Sequence, residues 1–172
     1  VGILDIKECG DNEDELPVPK DVGDVSCELD EPETSVHHTP PETVYKKLYI
    51  TVENAYPQYE AYCKFDLKNA GTIPAHIVDL TITAYDEKDG EDLTVTQDPT
   101  DPTHYIISDP VVGDIINLYI YKQETGAPLV CNQIDPCQDE PVDLVLEFKQ
   151  NAEECHTYTF EIEIEAVQWN KA

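Results

Sequence analysis

The chain has 172 residues, 37 of them acidic and 10 basic, for a formal net charge of -27. A field of that sign repels phosphate backbones, which excludes nucleic acid as a partner, and it disfavours anionic membrane surfaces. Hydrophobic residues at 40% suffice for one packed domain, and 13 prolines with seven glycines favour turns and strands over long helices.

Residues 1–8, VGILDIKE, are apolar and β-branched and predict a short strand. Residues 9–43 follow as an acidic, proline-bearing linker without helical periodicity, including ELPVPKD and EPETSVHHTPPET. A strand ahead of such a linker has two places to go. It can pair at the edge of its own sheet, or it can complete the sheet of a neighbouring copy by donor-strand exchange.

From residue 44 to residue 172 the pattern alternates with period two, which gives strands with one buried and one wet face. Leu48, Ile50 and Val52 share a face, as do Ala61, Cys63, Phe65 and Leu67, and then Val78, Leu80, Ile82 and Ala84. Ile116, Leu118 and Ile120 alternate with Ile115, Asn117, Tyr119 and Tyr121, the pattern of a strand covered on both sides. Val142, Leu144, Leu146 and Phe148 form the next face. Tyr158, Phe160, Ile162, Ile164 and Ala166 form the last, opposing Thr159, Glu161, Glu163 and Glu165. Turn signals at Asn69-Ala70-Gly71, Asp89-Gly90, Asp98-Pro99 and Gly126-Ala127-Pro128 separate these runs. The predicted fold is an all-β sandwich of about six to eight strands with Greek-key or jelly-roll connections. No apolar run is long enough to span a membrane.

Six cysteines without any Cys-x-x-Cys argue against structural zinc and for disulfides, hence for an oxidising, extracellular setting and a mature chain whose leader has been removed. Cys131 and Cys137 are expected to close a small proline-containing loop, and Cys9 and Cys27 to tie down the acidic segment. Cys63 and Cys155 remain by elimination.

No catalytic constellation is present. The zincin pattern His-Glu-x-x-His is missing, and the one adjacent pair, His37-His38, lies in the linker, where neighbouring side chains point to opposite sides. Ser26, Ser35 and Ser108 have no nucleophile context, and no phosphate-binding glycine loop exists. Calcium is the one cofactor the acids suggest, through Asp86, Asp89 and Asp92 in DEKDGED and Asp98 and Asp101 in QDPTDPT. Neither stretch has EF-hand spacing, and solvated turn charges, with an Asp-Gly type I′ hairpin corner in the first, account for them more simply than calcium does. Copies of charge -27 would in any case stack more easily with bridging cations.

The C-terminal run FEIEIEAVQWN, residues 160–170, resembles the closing strand of the TasA/camelysin group of secreted biofilm-fibre proteins, with the match on Phe160, Glu165, Ala166, Gln168, Trp169 and Asn170. The segment YPQYEAYCKFDLKNAGTIPAHI, residues 56–77, is similar to that family's lead-in loop, strand, Asn-x-Gly turn and strand restart. In its cysteines the chain is closer in character to archaeal bundling-pilus subunits. The resemblance implies a jelly-roll subunit of an extracellular homopolymer in which residues 1–8 insert into the next copy. Val1, Ile3, Leu4 and Ile6 would then be the donor side chains. A monomeric secreted binding or adhesion domain is the alternative. A secreted metallopeptidase of the camelysin kind is a more distant one.

Overall fold

The computed structural model describes residues 2–11, 23–29, 33–35, 42–44, 47–69, 72 and 74–168. These residues form strands and turns only. The strands are β1 (Gly2–Asp11), β2 (Asp24–Leu29), β3 (Glu33–Ser35), β4 (Glu42–Val44), β5 (Lys47–Ala55), β6 (Glu60–Asn69) and β7 (Ala75–Asp86). They continue with β8 (Glu91–Gln97), β9 (His104–Asp109), β10 (Gly113–Lys122), β11 (Gln133–Ile134), β12 (Asp139–Phe148) and β13 (His156–Gln168). Among the described residues no helix is long and apolar enough to cross a membrane.

An 11-stranded antiparallel sheet runs in the order β1-β6-β12-β10-β9-β8-β7-β13-β5-β2, with β11 attached to β7, while β3 and β4 form a separate hairpin. The sheet curls until its inner face encloses one core. Phe65, Leu118 and Leu144 enter from one half and Ile50, Phe160 and Ile162 from the other, all essentially inaccessible to solvent. The two free edges, β1 and β2, are drawn together at the seam, where Cys9 and Cys27 form a disulfide. The fold is therefore all-β and nearly closed, as the alternation requires.

The period-two faces land inside as expected in β5, β6, β12 and the first half of β13. Three details differ. Val78 points outward, because the β7–β13 register shifts between Asp79↔Glu165 and Ile77↔Ala166 and leaves Val78 as the extra residue. Ile115 and Ile116 are both buried, because a register shift between Asp114 and Ile116 breaks the alternation. The β7–β8 corner is not type I′: Gly90 has φ 66° but Asp89 is not in the left-handed region, whereas type I′ needs both.

The acidic linker also holds more order than its composition suggests. β2, β3 and β4 all fall in it, and β2 pairs with β5 from Asp24↔Glu53 to Leu29↔Leu48. Its Val25, Cys27 and Leu29 do alternate with Asp24, Ser26 and Glu28, a short signal diluted by the acids around it. Trp169, Asn170, His37, His38, Ala70 and Gly71 lie outside the described residues.

Phe160 is central to this core and Glu163 lies on its wet face. Phe160→Ala is expected to lower unfolding free energy by about 3–5 kcal/mol. Glu163→Gln should change it by no more than about 0.5 kcal/mol, both read from denaturant unfolding.

Candidate functional site

Three places gather chemistry: the N-terminal seam, the β7–β8 hairpin with the start of β13, and the loop between β8 and β9.

At the seam, β1 lies antiparallel on β6 from Gly2↔Asn69 to Asp11↔Ala61, with a register shift between Ile6 and Glu8. Leu4 is buried and Ile6 packs partly buried on the core. Val1 lies outside the described residues, and for Ile3 only the backbone is described, opposite Lys68. Two side-chain contacts reinforce the ladder, one exposed and one from the fully buried Tyr59. The Tyr62 hydroxyl donates to Glu8 Oε1 at 3.0 Å and the Tyr59 hydroxyl donates to Asp11 Oδ2 at 2.8 Å. Gly10 makes the first contact feasible, since a Cβ there would stand 2.5 Å from Tyr62 Oη. Glycine opposite a tyrosine lets the ring lie across the strand.

The Cys9–Cys27 disulfide joins β1 to β2. Cys63 sits directly opposite Cys9 in the ladder, its Sγ 3.3 Å from Cys9 Sγ. Burial pushes the Cys63 thiol up to about 12, so it stays protonated and unreactive at neutral pH. The other expected pairings are not formed. Cys63 faces the core beside Cys9, whereas Cys155 is exposed in the turn before β13. Cys131 and Cys137 are free and exposed, because their backbones are anchored to different strands: Cys131 N–H donates to Ile77 O and Cys137 N–H to Asn69 O.

The second place is built by the register of β7 against β13, which sets Asp86 opposite Tyr158 and brings the hairpin beside His156. Asp86 and His156 are both buried, at 1% and 5% exposure. Asp86 Oδ1 accepts the N–H of Lys88 at 3.0 Å and of Asp89 at 3.4 Å, and its Oδ2 lies 2.8 Å from His156 Nδ1. His156 Nε2 lies 2.9 Å from Glu153 Oε2, and Asp89 Oδ2 is 4.0 Å from Nδ1. A left-handed Cys155, φ 64°, and a register shift between His156 and Tyr158 turn the imidazole inward. Burial, and then the charges of Asp86, Glu153, Asp109 and Asp89, push the Tyr158 phenol well above its ordinary value. Of the five aspartates suggested for calcium, only Asp86 and Asp89 meet here. Asp92 is exposed on β8, pointing away from the face on which its neighbour Leu93 is buried.

Asp98 and Asp101 belong to the third place, where they are occupied by their own loop. Asp98 Oδ1 accepts both the N–H and the hydroxyl of Thr100, and Asp101 Oδ1 those of Thr103. His104 places Nδ1 3.0 Å from Asp98 Oδ2 and Nε2 2.9 Å from Asn117 Oδ1, and its ring stacks on Tyr119. Burial alone would lower the His104 pKa, but the contacts with Asn117 and Asp98 outweigh it and raise it. These are turn-fixing bonds that leave the aspartates few oxygens for a cation.

Sequence reasoning missed His156 and Glu153. The signal available was a histidine next to an acid-rich turn, Glu153-Glu154-Cys155-His156, without the long-range register that aims it at Asp86. Comparison with known protein families, with characterised proteins and with solved structures finds no match to this chain.

The Thr100 hydroxyl and N–H, and then His104, hold Asp98 at about 2. A carboxyl depressed on folding adds stability that is complete above its unfolded value and is lost as pH falls through the folded one. The thermal midpoint difference between wild type and Asp98→Asn should therefore shrink between about pH 5 and about pH 2, followed by circular dichroism. A difference constant across that range would mean that the carboxylate charge is not what holds the loop.

Proposed function

We propose that this chain is a structural subunit of an extracellular filament, polymerising head to tail by exchange of its N-terminal strand between copies. The observation that carries the reading is the position of β1. It is an edge strand that pairs with β6, yet it supplies Leu4 and Ile6 to the core. The same strand from a neighbouring copy can make every one of these contacts in trans, so exchange loses no native interaction. Burial of such aliphatic side chains contributes about 1.5–3 kcal/mol each, enough for several kcal/mol per junction with the backbone ladder included. Insertion of this kind is heterologous. It does not close on itself and so propagates as a filament.

The disulfide sets the unit that moves. With Cys9–Cys27 closed, the residues ahead of the bridge, Leu4 and Ile6 among them, can leave β6 while Cys9 stays tied to β2. Cys9 then marks the end of the exchanged segment. Residues 160–170 and 56–77, with their resemblance to the TasA/camelysin group, support the same reading. The disulfide suits an oxidising exterior. A monomeric secreted binding or adhesion domain is the second reading, favoured by the pairing of β1 within its own sheet and by the sealed seam.

Electron microscopy and light scattering of the purified chain beside a variant lacking residues 1–8 separate the two. Filaments are expected from the full chain and not from the variant, and a synthetic peptide of residues 1–8 should bind the variant and cap it. If both proteins stay folded and monomeric across salt and calcium concentrations, the filament reading fails and the secreted-domain reading replaces it.

A further inference from the structure

We propose that Asp86, Asp89 and His156 form a binding site for a divalent transition-metal cation of the zinc class, with Glu153 orienting the imidazole. The site is independent of strand exchange and differs in ligands and in metal type from an oxygen-only calcium loop.

The argument starts from the two nitrogens of His156. Each faces a carboxylate oxygen at hydrogen-bond distance, Nδ1 toward Asp86 and Nε2 toward Glu153. A neutral imidazole has one N–H, so one of those contacts sets a lone pair against a carboxylate unless a cation lies between them. Carboxylates, unlike the Asn117 amide beside His104, cannot rotate a donor into place. The missing positive charge is either a second proton on the ring or a metal ion.

The surroundings favour the metal. Among the described residues, His156 is the only ion-pair partner of Asp86, Asp89 and Glu153. One imidazolium would still face three carboxylates, of which Asp86 is buried while Asp89 and Glu153 reach solvent and are free to turn toward an ion. Glu91 and Asp109 lie beyond Asp89 and deepen the same negative field. The ligand atoms of Asp86, Asp89, Glu153 and His156 all fall within 4.8 Å of one another. Donor atoms around a tetrahedral ion at about 2.0–2.2 Å stand about 3.3–3.6 Å apart, so side-chain shifts of about 1 Å would complete the site.

The two sides of the ring have different roles. Asp86 and Asp89 both lie toward Nδ1, and Asp86 is held in place by two backbone N–H donors at its other oxygen. Glu153 lies toward Nε2 and can accept that N–H, as carboxylates do behind metal-bound histidines, fixing the tautomer and raising the basicity of Nδ1. Two carboxylates and one imidazole with an open position suit zinc and its neighbours. Calcium takes six to eight oxygens and gains little from an imidazole.

The test uses the full chain carrying Cys131→Ser, Cys137→Ser and Cys155→Ser, because exposed thiols bind zinc themselves. After chelator treatment it is titrated with Zn²⁺ and, separately, Ca²⁺ by calorimetry, while ¹⁵N spectra follow the His156 ring. One zinc per chain is expected, with a shift of the His156 Nδ1 resonance. Asp89→Asn, a change in an exposed turn, should weaken binding at least about 100-fold, and Glu153→Gln by about 10–100-fold. Calcium should bind at least about 100-fold more weakly than zinc. Zinc binding that Asp89→Asn leaves unchanged would assign it to the diffuse acidic surface and overturn the proposal. So would the absence of saturable binding below about 1 mM.

Discussion

Self-repulsion is the constraint on which the rest of this structure depends. A domain of net charge -27 holds together only if its carboxylates stay wet while its apolar face stays dry. The strict two-residue period does this sorting without lysines to spare. On β13, Tyr158, Phe160 and Ile162 are buried while Glu163 and Glu165 are exposed. Surface pairs such as Lys47–Glu161 at 2.9 Å exist, but exposed pairs contribute only about 0–1 kcal/mol each. Burial in the common core must outweigh the repulsion almost unaided.

Acids that leave the wet face are received by donors, Lys122 and Asn132 for buried Glu140 and backbone N–H groups for several aspartates. Asp109 is buried and accepts the N–H groups of Val111 and Val112, and Asp98 and Asp101 bind the backbone and hydroxyls of Thr100 and Thr103. Each such carboxylate fixes a turn while its charge is shared with nearby dipoles. Asp86 follows the same rule at one oxygen and breaks it at the other, where it faces a buried histidine that also faces Glu153. That exception is what marks the hairpin as more than a connection.

Much of this was legible in the sequence, and what was not has a common cause. Leu48, Ile50, Val52 and Phe65 declare their strands through local alternation, which needs only neighbours along the chain. Register does not have that property. Val78 is turned out by a shift against Ala166, Cys63 finds Cys9 rather than Cys155 because β1 lies on β6, and Asp86 meets His156 across 70 residues of sequence. β2 was obscured for a different reason: its alternation lasts six residues and sits in a region whose composition reads as solvated linker.

The seam and the charge bear on each other. An edge strand exposes unpaired backbone groups, and proteins commonly blunt such edges with charge. Here β1 and β2 lie side by side without pairing to each other, and the Cys9–Cys27 bond ties these two edges together. Under the proposed strand exchange, a copy would enter by replacing the part of β1 already present. Under the same proposal the acidic surface would act in the same direction, since copies of like charge would repel until the ladder of β1 on β6 is available to offset the repulsion. Closure and repulsion together would make self-recognition selective: association is opposed everywhere except through the one strand that fits.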